Sequence, residues 1–140
     1  MKGVKRDKKD AVFSDLIRLR VNYTCENCGH CEGGKSQAIQ CAHIISRKYK
    51  LVRYHPDNAF CLCASCHMNF TDHPLLFADF VREKQGSELP DIIREIAYSK
   101  RKIIKLEYED MHKDYLKQLK AMSQKRSDGD MGRLEFEYPL

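Results

Sequence analysis

The chain has 140 residues, with 25 Lys and Arg against 20 Asp and Glu and a net charge of +5. That length suits about one domain with a modest core, and folds this small often need an added staple. No apolar run approaches the ~20 residues that cross a bilayer, and the basic start MKGVKRDKKD has no apolar signal segment after it, so neither a membrane partner nor secretion is expected. Charge placement says more than net charge. Acidic residues are absent between Glu32 and Asp57, while Lys35, Arg47, Lys48, Lys50 and Arg53 fall in that stretch. A basic centre points to a polyanionic partner, because phosphate contacts supply most non-specific affinity for nucleic acid.

Four segments follow in chain order. In the basic segment 1–22, Val12, Leu16 and Leu19 share one helical face with Phe13 and Ile17 beside it, which predicts a helix over 10–20. Segment 23–86 holds the cysteine- and histidine-rich core and a helix after it. Within it AIQCAHII reads as a strand, SRKYKLVRYHPDN as a polar, turn-rich loop, and AFCLCASCH as a short extended stretch entering a helix. A second helix is expected over 74–84, with Asp72 or His73 as its cap and Pro74 in its first turn. Segment 87–126 reads as one long helical region over 90–125. Its Ile104, Tyr108, Met111, Tyr115, Leu119 and Met122 recur at steps of three or four. That stripe fits a core-facing helix, or a homodimer seam if the helix projects. The acidic tail SDGDMGRLEFEYPL, 127–140, is expected to be flexible.

The seven cysteines cluster between positions 25 and 66. Two CxxC pairs, Cys25 with Cys28 and Cys63 with Cys66, argue for a metal rather than disulfides. Each pair on a tight turn holds two corners of a tetrahedron. A filled S4 site suits Zn²⁺ and leaves no open position, so it is structural. His30 and Cys31 crowd the first pair, and either could replace a ligand there. Cys41 and Cys61 read as small core residues.

Between the two half-sites stand His43, Asn58 and His67. A histidine with a near-neutral pKa suits a general base. Phosphodiester hydrolysis needs such a base and a cation for the developing charge. His67 begins a helix directly after the last zinc cysteine, so the zinc site fixes its position. Asn58 could hydrogen-bond the base, ligate a metal or pin the loop.

The pattern CENC…AHIISR…RYHPDNAFCLCASCH resembles the HNH endonuclease family, most closely phage recombination endonucleases of the NinG/Rap type. The likeness spans roughly 13–80. It implies an α+β fold: a zinc-stapled ββα-metal core with flanking helices and a long C-terminal helical region. By the same likeness His43 is the water-activating base. Asn58 orients it or helps bind metal, and His67 ligates a catalytic Mg²⁺ or Mn²⁺. Arg47, Arg53 and Asp57 face phosphate or fix the loop, and Lys48 and Lys50 join Arg47 and Arg53 as expected nucleic-acid contacts. The implied substrate is duplex or branched DNA. The implied setting is the cytoplasm of a phage-infected or prophage-bearing bacterium. One departure matters. The position before the base, often Asp or His in the family, is Ala42, which coordinates nothing. Asp57, His55 or His73 would then have to complete the metal shell beside DNA phosphate.

The alternative is a zinc-stapled nucleic-acid-binding module without chemistry. Such a module needs the cysteines and cations but not His43, Asn58 or His67. A redox protein using its CxxC pairs fits less well, because those pairs bracket a short ββα unit rather than opening a helix in a βαβ unit.

Overall fold

The computed structural model describes residues 3–140. Helix α1 spans Lys8–Arg20, two residues ahead of the expected start. The reason is a reciprocal cap. Asp7 Oδ1 accepts from the Asp10 N–H at 2.9 Å, and Asp10 Oδ2 accepts from the Asp7 N–H at 2.8 Å. Its apolar face buries Phe13, Leu16 and Ile17 completely. The chain then reverses through Asn22 and Tyr23, both in the left-handed region with φ of 52° and 55°, and enters the first cysteine turn.

Strand β1 (Ile39–His43) pairs antiparallel with β2 (Ala59–Cys63), setting Ile39 opposite Cys63, Cys41 opposite Cys61 and His43 opposite Ala59. Helix α2 (Ala64–Asp72) follows β2 without a break. The expected order of strand, loop, strand and helix is therefore present, in a mixed α+β fold. Two strands alone are marginal in water. Here α1 packs on the sheet, and Glu26 covers the outer edge of β2. Its N–H donates to Cys61 O, and its Oε2 accepts from the Cys61 N–H, both at 2.8 Å. Among the described residues no further strand pairs with the other edge of β1, where Arg18 Nη1 donates to Ile39 O at 3.4 Å.

Helix α3 (Pro74–Gln85) matches the expected span, with His73 at its N-cap position but no side-chain cap bond. The expected single helix over 90–125 is instead two helices, α4 (Glu88–Tyr98) and α5 (Lys105–Ser127). Ser99 leaves α4 in an extended conformation, and Glu107 caps the start of α5 through the Ile104 N–H. The α5 stripe faces the chain's own core. Met111, Tyr115 and Met122 are buried, and the Tyr115 hydroxyl donates to Tyr54 O at 2.5 Å. Of the two uses expected for the stripe, packing on the chain's own core is the one present for most of it, with Ile104 at its start exposed.

The tail is the second correction. It is not loose. Leu134 N–H donates to Arg20 O at 3.0 Å, and the Gln118 amide exchanges two 2.8 Å hydrogen bonds with the Glu137 backbone. Phe136 is 5% exposed and packs edge-on against Phe13 and Tyr115. Apolar burial of Leu134 and Phe136 outweighs the entropy of a short polar lead-in. Phe136→Ala is expected to cost about 3–5 kcal/mol of stability, as for other buried Phe truncations. Urea unfolding reads this directly, and an unchanged midpoint would mean that the tail does not dock in solution.

Candidate functional site

The first element of the site is the sulfur cluster. Cys25, Cys28, Cys63 and Cys66 bring their sulfurs within 4.8 Å of one another. A ZnS4 tetrahedron with bonds of about 2.3 Å has edges of about 3.8 Å, and Cys28 Sγ lies 3.8 Å from Cys63 Sγ. The donor set and spacing fit a structural Zn²⁺. Burial opposes ionisation of Cys63, but hydrogen bonds from Ser65 and the Cys66 backbone draw its thiol down to about 6. Those hydrogen bonds favour its thiolate, the form that meets a cation. Asn27 Nδ2 donates to Cys66 Sγ at 3.3 Å. The alternatives fall outside the cluster, since His30 Nε2 contacts Glu32 at 2.9 Å and Cys31 Sγ turns to Asn22 O.

The second element is a cleft of about 920 Å³ along the free edge of β1. His43 and His67 both line it, with Arg6, Arg18, Lys35 and Arg47 among the other walls. His43 Nε2 lies 2.9 Å from Arg53 O. A carbonyl only accepts, so Nε2 carries the proton and Nδ1 holds the lone pair in the neutral ring. Burial pushes the His43 pKa below its ordinary value, the hydrogen bond to Arg53 O pulls it up, and the Arg47 cation pushes it down further. Cys41 lines the same cleft, correcting its reading as a purely core residue. Burial pushes its thiol up to about 12, so it is no nucleophile at neutral pH.

Asn58 takes one of its three candidate roles. It is fully buried, its Oδ1 accepts from the Ile45 N–H at 2.8 Å, and its Nδ2 donates to Ile45 O and Val52 O, both at 3.0 Å. The side chain pins the loop between the strands. Its assignment as a metal ligand is corrected, because its polar atoms are buried and bound to backbone. The hydrogen bonds of its side chain go to Ile45 and Val52 rather than to His43, and they hold the loop that carries Arg53 O.

His67 is backed by a residue that the sequence reading missed. His67 Nδ1 lies 2.7 Å from Gln40 Oε1, while Gln40 Nε2 donates to Gln37 O at 3.0 Å. The second bond fixes the amide end for end, so Oε1 accepts and His67 Nδ1 carries the proton. Its Nε2 is left to coordinate. A metal-binding histidine commonly has its other nitrogen held in this way. The available signal was strand alternation, which puts Gln40 on the same face as Ala42. Ala42 itself is buried at 1% exposure. Of the residues considered for the gap it leaves, Asp57, His55 and His73 do not line the cleft. The donors near His67 therefore fit only an ion that completes its shell with water and phosphate oxygens. If His67 holds a divalent ion, Gln40→Ala is expected to weaken Mn²⁺ binding by roughly 10- to 100-fold, read by the paramagnetic resonance of free Mn²⁺. An unchanged affinity would remove His67 as the ligand that Gln40 supports.

The expected nucleic-acid contacts divide. Arg47 lines the cleft, and Lys48 and Lys50 are exposed outside it. Arg53 is corrected, being 8% exposed with its guanidinium gripped by both oxygens of Asp10. It fixes the loop instead. Arg6, Arg18 and Lys35 join Arg47 at the cleft, brought there by tertiary folding rather than by sequence proximity. Among the described residues no helix is long and apolar enough to cross a membrane. Comparisons with protein-family models, with curated proteins and with solved structures each return no match to this chain.

Proposed function

We propose that the chain is a metal-dependent endonuclease of the HNH ββα-metal kind, hydrolysing phosphodiester bonds in duplex or branched DNA. One observation carries this reading. His43 and His67 line a single cationic cleft, each with one ring nitrogen tied back and the other left free. His43 Nδ1 accepts a proton from the attacking water while the water oxygen bonds to phosphorus. The P–O bond breaks with its electron pair going to the leaving oxygen, which takes a proton from solvent water, and the imidazolium formed keeps its Nε2–H on Arg53 O until it returns the extra proton to solvent. Arg6, Lys35 and Arg47 attract and orient the phosphates, while Arg18, 6% exposed and paired with Asp15, shapes the wall. His67 Nε2 would hold a divalent ion, which would supply positive charge for the developing charge of phosphate hydrolysis. Mg²⁺ prefers an all-oxygen shell, whereas Mn²⁺ accepts imidazole more readily, so Mn²⁺ is the better activator.

A second reading, a zinc-stapled binding module without chemistry, is favoured by one feature. Asp10 is the sole carboxylate residue lining the cleft among the described residues, and it is committed to Arg53. The test is to incubate the protein with supercoiled plasmid and with a four-way junction in Mn²⁺ or Mg²⁺. Metal-dependent nicks or resolved arms, faster in Mn²⁺, are expected. Tight binding of intact DNA with no cleavage in either ion would leave the binding module.

A further inference from the structure

Helix α1 does more for this site than line its wall. Asp10 is 5% exposed and Arg53 8% exposed, and Arg53 Nε donates to Asp10 Oδ1 at 2.9 Å while Nη2 donates to Oδ2. Arg53 Nη2 also donates to Lys5 O at 2.9 Å. Next to it, the Tyr54 hydroxyl donates to Asp7 Oδ2 at 3.0 Å. Both ends of the α1 cap thus grip the loop, and they grip it where Arg53 O accepts from His43 Nε2 at 2.9 Å. A two-pronged guanidinium–carboxylate pair fixes direction as well as distance.

We infer that Asp10 is a positioning residue for the His43 base, acting through Arg53, so that the start of α1 sets the tautomer and aim of a ring 33 residues away in the chain. This rests on the nuclease reading only for its catalytic consequence. The local claim concerns His43 itself. With Asp10 in place, Arg53 O is immobile and the neutral ring is held as its Nε2–H tautomer. Without that anchor the carbonyl moves and the ring samples both tautomers. A base displaced by about 1 Å loses on the order of 100-fold in rate.

The test uses the full chain loaded with zinc and labelled with ¹⁵N at histidine. Wild type is expected to show His43 as a single Nε2–H tautomer at neutral pH. Asp10→Asn keeps the shape but removes the charged, two-oxygen acceptor, and is expected to give averaged ring nitrogens for His43. Asp10→Asn combined with Arg53→Met removes both buried charges. It guards against a variant that fails merely because one charge is left unpaired. Both variants should lose roughly 10- to 100-fold in kcat on DNA, with KM changed less than threefold. A His43 spectrum identical to wild type in a folded variant of either design would overturn the inference. Absence of cleavage by wild type would remove the nuclease reading and leave the tautomer result standing.

Discussion

Chelating the zinc is expected to unfold the ββα unit. Cys63 ends β2 and sits at the N-cap position of α2 without a side-chain cap bond, and Cys66 lies in the first turn of α2. Cys25 and Cys28 come from a turn that is fastened to β2 through Glu26. A zinc held by these four sulfurs would join the end of β2, the start of α2 and the cysteine turn, around a two-stranded sheet that is marginal alone. Structural zinc contributes about 10–16 kcal/mol in small zinc-dependent folds at neutral pH, against a typical total stability of about 5–15 kcal/mol. Cys63→Ser should therefore lose the ion and lower Tm by at least about 15 °C, since 1 kcal/mol is worth about 2–4 °C at this size. Native mass spectrometry should count one zinc in wild type and none in the variant. Cys31→Ser is the control, because its sulfur lies outside the cluster. It should keep the ion and melt within a few degrees of wild type. A chelated protein that melts like the zinc-loaded one would show that the cluster is not a staple.

The parts legible in the sequence were those with local signals. The CxxC pairs announced the cluster because each pair's geometry is set within four residues. The order of β1, loop, β2 and α2 followed from a change of hydrophobic period. What could not be read depended on partners far along the chain. Arg53 sits among Arg47, Lys48 and Lys50 and looks like one more surface cation, but Asp10, 43 residues away, draws it inside. Asn58 had three chemically sound uses, and only its contacts with Ile45 and Val52 select one. Two misses had signals that were outweighed. Gln40 and His43 were the two polar residues on an otherwise apolar strand. Leu134, Phe136, Tyr138 and Leu140 alternate with the period of a docked strand, but the Asp- and Gly-containing lead-in pointed to disorder. The charge stripe also misled. Part of the basic character of the N-terminal segment supports the loop rather than a ligand, as with Arg20, which donates to Pro56 O at 2.9 Å and Ala59 O at 3.0 Å.

On the nuclease reading proposed above, replacing His43 is expected to slow DNA cleavage sharply while leaving the fold intact. General base catalysis contributes roughly 10²- to 10⁴-fold; of the other groups in the cleft, His67 is assigned to the ion, burial favours the Cys41 thiol and Asp10 is bound to Arg53. His43→Gln is the sharper variant, because its amide N–H can still donate to Arg53 O while no basic nitrogen remains. Single-turnover cleavage should fall by that factor with zinc content and Tm near wild type. The pH profile carries the sign of the same group. Burial lowers the His43 pKa, so the ring is already neutral, and able to accept a proton, at pH 7. The rate should therefore rise with pH along a limb centred below the ordinary histidine value of about 6.5 and be flat above it. Stability follows the same direction. As pH falls below about 6.5 the unfolded chain takes up the proton first, so the contribution of His43 is complete above that value and lost as pH drops through the lower folded pKa. In His43→Gln both the acid limb and that share of the acid destabilisation should disappear together. A variant that keeps the wild-type limb would place the base elsewhere in the cleft.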